Sequence, residues 1–189
     1  MKRLLVAIGL GLIAIALWTR RGQEFVQERV APLSTRFINW AESVYGRLTR
    51  GERNNNPGNI EKGSPWLGLS PDQSQDNRFA VFEEPIYGIR ALAKLLLNYQ
   101  RIHGLQTVEQ IINRYAPPTE NVTQSYVQSV ANRLGVSPRE RLNLSDPNTL
   151  MAVVSAIIRH ENGRVIYPRE IIAQGVYLAL GQQAPSSVA

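Results

Sequence analysis

The sequence predicts a mainly α-helical protein: an N-terminal membrane-spanning helix, then an α-rich globular domain holding one irregular or β-hairpin region. Three observations predict it. Leu4–Trp18 is continuously apolar, Gly51–Phe82 lacks helical period and is rich in Gly, Pro, Asn, Asp and Ser, and beyond Pro85 apolar residues recur at three and four. With 189 residues there is room for one domain with a proper core plus an appendage.

The apolar run comes first. Its fifteen residues follow Met1-Lys2-Arg3 and precede Thr19-Arg20-Arg21, a length that suits either a signal-peptide core or a short bilayer span. The C-terminal flank favours the span, because Trp18 sits well at an interface while Arg20 and Arg21 snorkel and lengthen it. Residues 1–22 are therefore expected to be a single-pass anchor, with the lipid bilayer contacted through residues 4–18. Residues 23–48 carry Phe25, Val26, Val30, Leu33, Phe37, Trp40 and Val44 at helical spacing and bend near Pro32. They read as an amphipathic stalk followed by the first helix of the domain.

Residues 49–182 make the globular domain. Its irregular region opens with Arg53-Asn54-Asn55-Asn56-Pro57-Gly58-Asn59-Ile60, which cannot continue a helix, since Pro57 lacks a donor and asparagine side chains compete with backbone bonding. Phe79-Ala80-Val81-Phe82 could supply one short strand. A helix from Pro85 buries Ile89, Leu92, Ala93, Leu96, Leu97 and Tyr99 and stops at His103-Gly104. Thr107 and Gln110 form a capping box for the next helix, with Val108, Ile111, Ile112 and Tyr115 inward, ended by Pro117-Pro118. After Glu120-Asn121 a third helix turns Tyr126, Val127, Val130, Ala131 and Leu134 to the core. Ser137-Pro138-Arg139-Glu140 is a second helix-start signature. Asp146-Pro147 opens the most apolar helix, through Leu150, Met151, Val153, Val154, Ile157 and Ile158, closed at Asn162-Gly163. A last helix spans Pro168 to Gly181, and residues 183–189 read as a disordered tail.

The net charge of +6 and a pI near 10.0 would ordinarily suggest nucleic acid. Residues 1–53 carry nine Lys/Arg against four Asp/Glu, a balance of +5, whereas residues 54–189 carry twelve against eleven, a balance of +1. The excess lies beside the expected membrane segment, where anionic headgroups attract it, so nucleic acid is not the expected partner. There is no cysteine, and His103 and His160 are not spaced as a metal pair, so neither a metal nor a cofactor is expected.

That leaves carboxylates for acid–base chemistry. Glu52 adjoins the asparagine cluster, Glu42 stands earlier on the helical stretch before it, and Glu120 lies beside Pro117-Pro118. Glu161 follows Ile157 and Ile158 by four and three residues, on the edge of the apolar face, where it is partly desolvated and needs Arg159 or an amide to compensate. Its bland alternative is a structural acid bonded to a neighbouring loop. The asparagines carry the same ambiguity: their amides suit the hydroxyl and acetamido groups of sugars, or they only punctuate two elements.

Arg53–Ile60, followed by Trp66-Leu67-Gly68, Phe79–Phe82, Tyr87-Gly88-Ile89-Arg90, Tyr115-Ala116-Pro117-Pro118-Thr119-Glu120-Asn121 and His160-Glu161-Asn162-Gly163, resembles a phage and prophage family of virion-associated structural proteins. More distantly, the order of elements is similar to that of lysozyme-like glucosaminidases and lytic transglycosylases, with Ala41-Glu42-Ser43 resembling the helix that carries the acid. This resemblance implies a lysozyme-like domain that cleaves peptidoglycan glycan strands during phage entry or exit, with Glu52, Glu42 or Glu161 as the acid. Asn55, Asn56, Asn59 and Glu120 would contact the sugar, and Trp66 or Tyr115 would stack on it. It also implies a virion membrane or a bacterial inner membrane facing the periplasm as the location, with other virion proteins as possible partners. The competing expectation is a non-catalytic virion or membrane protein of the same fold, binding glycan through the asparagine loop.

Overall fold

A single helical turn, α1 (Arg50–Arg53), is the first regular element of the described chain. The computed structural model describes residues 48–116 and 120–185, and of residues 120–122 the backbone alone. The expected anchor, the stalk, the first domain helix up to Arg47 and with it Glu42 lie outside the described residues. Among the described residues no helix is long and apolar enough to cross a membrane. Helix α1 falls where a loop was expected, and its cause is local: Thr49-x-x-Glu52 is a capping box. The Thr49 hydroxyl accepts from the Glu52 N–H and the Glu52 carboxylate accepts from the Thr49 N–H at 2.8 Å.

The remaining helices follow their sequence signals. Helix α2 (Pro85–His103) has Pro in its first turn and ends at Gly104, whose φ of 66° is the left-handed cap that terminates helices. Helix α3 (Val108–Tyr115) has the reciprocal Thr107–Gln110 cap. Helix α4 (Glu120–Leu134) follows, then α5 (Pro147–Asn162), whose N-cap Asp146 accepts from the Thr149 N–H, and α6 (Arg169–Leu180). Residues 182–185 have no regular structure, and residues 186–189 lie outside the description.

The core is shared by all the long helices. Helix α2 packs chiefly on α6, while α4 packs on both α3 and α5. Ile89, Leu92, Leu96, Ile112, Leu150, Ile157 and Ile158 are fully enclosed. Each such side chain contributes about 1.5–3 kcal/mol by leaving water. Gly175 permits the close α2–α6 approach, since a Cβ there would meet Ile89 Cγ2 at 2.5 Å.

Two expectations are corrected. Residues 137–140 form a turn and not a helix start. Glu140 does accept from the Ser137 N–H at 3.3 Å, but the chain is then drawn back to α3, with Glu109 N–H on Pro138 O and Leu142 N–H on Gln106 O. Those pairings occupy groups that a helix would need. Likewise no strand forms at 79–82. The segment runs between two irregular partners: Ala80 N–H donates to Ile60 O and Phe82 N–H to Asn54 O on one side, and Ser70 N–H donates to Val81 O on the other. Isolated bridges, Glu61 with Phe79 and Leu69 with Phe82, replace the expected hairpin.

Candidate functional site: a cleft between the asparagine turn and helix α5

The turn from Asn54 to Ile60 is built by its own side chains. Asn55 and Asn59 stand at φ 49° and 48°, the left-handed region that asparagine tolerates better than other side-chain-bearing residues. Asn56 is fully buried: its Oδ1 accepts from Ile60 N–H at 2.9 Å, and its Nδ2 donates to Ile60 O and Ala80 O at 2.9 and 2.8 Å. Asn55 Nδ2 donates to Phe82 O and Glu83 O. Asn54 Nδ2 donates to Asp76 Oδ2 at 2.7 Å. Three of the four asparagines therefore hold backbone or a buried acid.

The turn is joined to the end of α5 by Asn162. Its Nδ2 donates to Pro57 O at 2.8 Å, and its Oδ1 accepts from the Thr49 hydroxyl at 2.7 Å. Gly51 and Gly88 make the junction tight, since a Cβ at Gly51 would meet Asn162 Oδ1 at 2.5 Å and one at Gly88 would meet Asn55 O at 2.0 Å. This placement sets Asn59 opposite Glu161.

Glu161 is half-buried and has both oxygens occupied by neutral donors. Asn59 Nδ2 donates to Oε2 at 2.9 Å and the Tyr126 hydroxyl donates to Oε1 at 3.0 Å. An amide does supply the compensation that the helix position demanded. Among the described residues no Lys or Arg forms an ion pair with it. Tyr126 lies flat against His160 at 3.5 Å between ring centroids and meets Tyr115 edge-on at 6.4 Å. The Tyr115 hydroxyl donates to Gly58 O. Burial, followed by the charge of Glu161, pushes the Tyr115 hydroxyl well above its ordinary pKa; burial, then Tyr115 and Glu161, does the same for Tyr126, so both stay protonated donors. Burial lowers the His160 imidazole, with Glu161 opposing it.

Glu161 lines a cleft of about 610 Å³ together with Asn59, Trp66 and Tyr115. These are four of the candidates picked from the sequence, supplied by α3, α5 and two loops. Phe79 and Tyr99 add further aromatic wall, and Lys62, Arg78 and Arg114 add positive charge. Lys62 is occupied by Gln73 O and Asp76 O, and Arg78 pairs with Glu61 at 2.6 Å. Half-buried Trp and Tyr faces beside an amide and the Glu161 carboxylate form a surface suited to a polar ring with an apolar face.

The other candidates lie elsewhere. Glu52 is not part of the cleft: it caps α1 and receives Arg164 Nη2 at 2.6 Å. Burial pushes its carboxyl up, but the Thr49 hydrogen bonds and the Arg164 guanidinium outweigh this and leave it below the ordinary value. Asn55 and Asn56 serve the turn. Glu120 opens α4, and its side chain lies outside the description, as does all of Glu42. Sequence reasoning missed Tyr126, which helical period assigns to the core although its hydroxyl reaches Glu161. It also missed Asp76, buried under Arg50 and Asn54.

No family model matches the chain. Over 130 residues the sequence is 42% identical to protein P5 of Pseudoalteromonas phage PM2, in an alignment covering 67% of this chain and 79% of that protein. Identity at that level, over about two thirds of this chain and most of that protein, places the chain in the family of phage protein P5.

Proposed function

We propose that the cleft binds a peptidoglycan glycan strand and that Glu161 is the general acid that cleaves it. The observation that carries this reading is a half-buried carboxylate on the cleft wall, positioned by two neutral donors and flanked by Trp66 and Tyr115. In the reaction the proton of the Glu161 carboxyl passes to the glycosidic oxygen as the C1–O bond breaks. The cationic sugar left behind is captured by water or by one of the sugar's own hydroxyls, whose proton returns to the Glu161 carboxylate, a route that needs no protein nucleophile. Glu61, another acid lining the cleft, is engaged by Arg78, which is consistent with a single-carboxylate mechanism. Asn59 orients Glu161, while Trp66 and Tyr115 stack against sugar faces.

In this proposal residues 4–18 tether the domain to a bilayer, either the virion membrane or the bacterial inner membrane facing the periplasm. The tether holds the cleft against the cell wall at high local concentration. A second reading is a non-catalytic glycan-binding component of the phage particle. The Asn59–Glu161 bond favours it as well, because a carboxylate with both oxygens occupied also serves as a structural acid. Incubating the full chain with purified host peptidoglycan and identifying released fragments by mass separates the two. Muropeptide release supports cleavage, and binding without release at any pH from about 4 to 8 supports the second reading.

A further inference from the structure

A second cavity, of about 620 Å³, adjoins the Glu161 cleft, and Ser64 and Trp66 line both. Its far wall is one face of α2: Arg90, Lys94 and Asn98 follow each other at intervals of four, which stacks them along the helix. All three are half-buried, and among the described residues their side chains form no hydrogen bond or ion pair. Among the described residues no carboxylate lines the cavity. Two N–H donors beside it, Arg90 Nε and Trp66 Nε1, are buried and have no acceptor among the described residues. Orphaned buried donors are uncommon in folded proteins and mark places where an acceptor is missing. Two positive charges, an amide and two unmet donors, with no acid to neutralise them, form a site for an anion. Guanidinium and ammonium groups hold carboxylates through charge-assisted bonds.

We propose that this cavity is a subsite for a carboxylate carried on the glycan strand that occupies the Glu161 cleft. The inference rests on the glycan reading of that cleft and adds the substrate's charge: a strand bearing peptide stems is preferred over a neutral one of the same length. The Trp66 indole, shared by both cavities, lies between the sugar and its anionic substituent.

The test is calorimetric titration of the full chain, in non-ionic detergent, with two ligands of equal sugar number whose integrity is verified by mass at the end. One is a neutral chitooligosaccharide; the other is a peptidoglycan strand fragment with its stem peptides. The wild type binds the carboxylated fragment about tenfold more tightly. The double variant Arg90→Gln/Lys94→Gln, with an unchanged melting temperature, loses that preference and keeps its affinity for the chitooligosaccharide. A double variant that retains the preference, or a wild type that binds both ligands alike, overturns the subsite. If the wild type binds neither fragment, the glycan reading fails and the subsite is decided by sodium acetate. The Trp66 indole N–H resonance then moves with acetate but not with equal sodium chloride, and only while Arg90 and Lys94 are present. A resonance that stays still overturns the subsite too.

Discussion

Asn59 Nδ2 donates to Glu161 Oε2 at 2.9 Å across 102 residues of sequence, so one hydrogen bond ties the asparagine turn to the last turn of α5. The other half of the same amide, Asn59 Oδ1, is buried and has no partner among the described residues. The bond positions the one cleft-lining carboxylate that no cation engages among the described residues, and the unmet oxygen is a reserve acceptor one amide rotation away.

That reserve makes Glu161→Gln a mild substitution for the fold. The new amide oxygen keeps the Tyr126 hydroxyl as its donor, and the new NH₂ donates to Asn59 Oδ1 once the Asn59 amide rotates. Urea unfolding is expected to change by no more than about 1 kcal/mol. Glu161→Ala leaves the Tyr126 hydroxyl and the Asn59 NH₂ without acceptors and is expected to cost about 1–3 kcal/mol.

The asparagines separate by role. Asn56→Ala removes three buried hydrogen bonds and is expected to cost about 3 kcal/mol, enough to melt the turn. Asn59→Gly keeps the positive φ and removes only the hold on Glu161. Its melting temperature stays near wild type while affinity for glycan fragments falls.

Gly88 and Gly104 offer a paired test of how closely α2 meets the turn. A Cβ at Gly88 would stand 2.0 Å from Asn55 O, whereas one at Gly104 meets nothing within 4 Å. Gly88→Ala must push backbone apart and is expected to lose about 3 kcal/mol together with cleft binding. Gly104→Ala bears only the left-handed penalty, about 1 kcal/mol, and leaves binding unchanged.

Asp76 sets the acid limit of the fold. The Arg50 guanidinium, bonded through Nε at 2.6 Å and Nη2 at 2.8 Å, outweighs burial and, with the Phe79 and Arg78 N–H groups and Asn54, holds the carboxyl far below its ordinary range. The folded carboxyl thus binds its proton less readily than the unfolded one, at about pKa 3.9. Its stabilisation is complete above about pH 5 and drains away as pH falls below about 4. Asp76→Asn is expected to lose about 2 kcal/mol or more at neutral pH and to flatten the fall in melting temperature below pH 4.

Helix positions were legible wherever caps and periodicity agreed. Thr107 with Gln110, Asp146 with Pro147, and the glycines at 104, 163 and 181 all stop or start helices as their residue types dictate. Helix α1 escaped because its capping box sits directly before an asparagine run that reads as a loop. The site was legible in composition but not in partnership. Asn56 and Asn59 are alike in sequence, yet one meets Ala80 and the other Glu161, and the choice is made by contacts 24 and 102 residues away. Glu52 looked as suitable as Glu161 until Thr49 and Arg164 occupied it.

The most direct measurement is muropeptide release from purified host peptidoglycan by the full chain, with Glu161→Gln and Glu52→Gln run beside it and folding verified for each. The account predicts release by the wild type and by Glu52→Gln, with Glu161→Gln slower by about a thousandfold. Undiminished release by a folded Glu161→Gln variant, or none from a folded wild type, would contradict it.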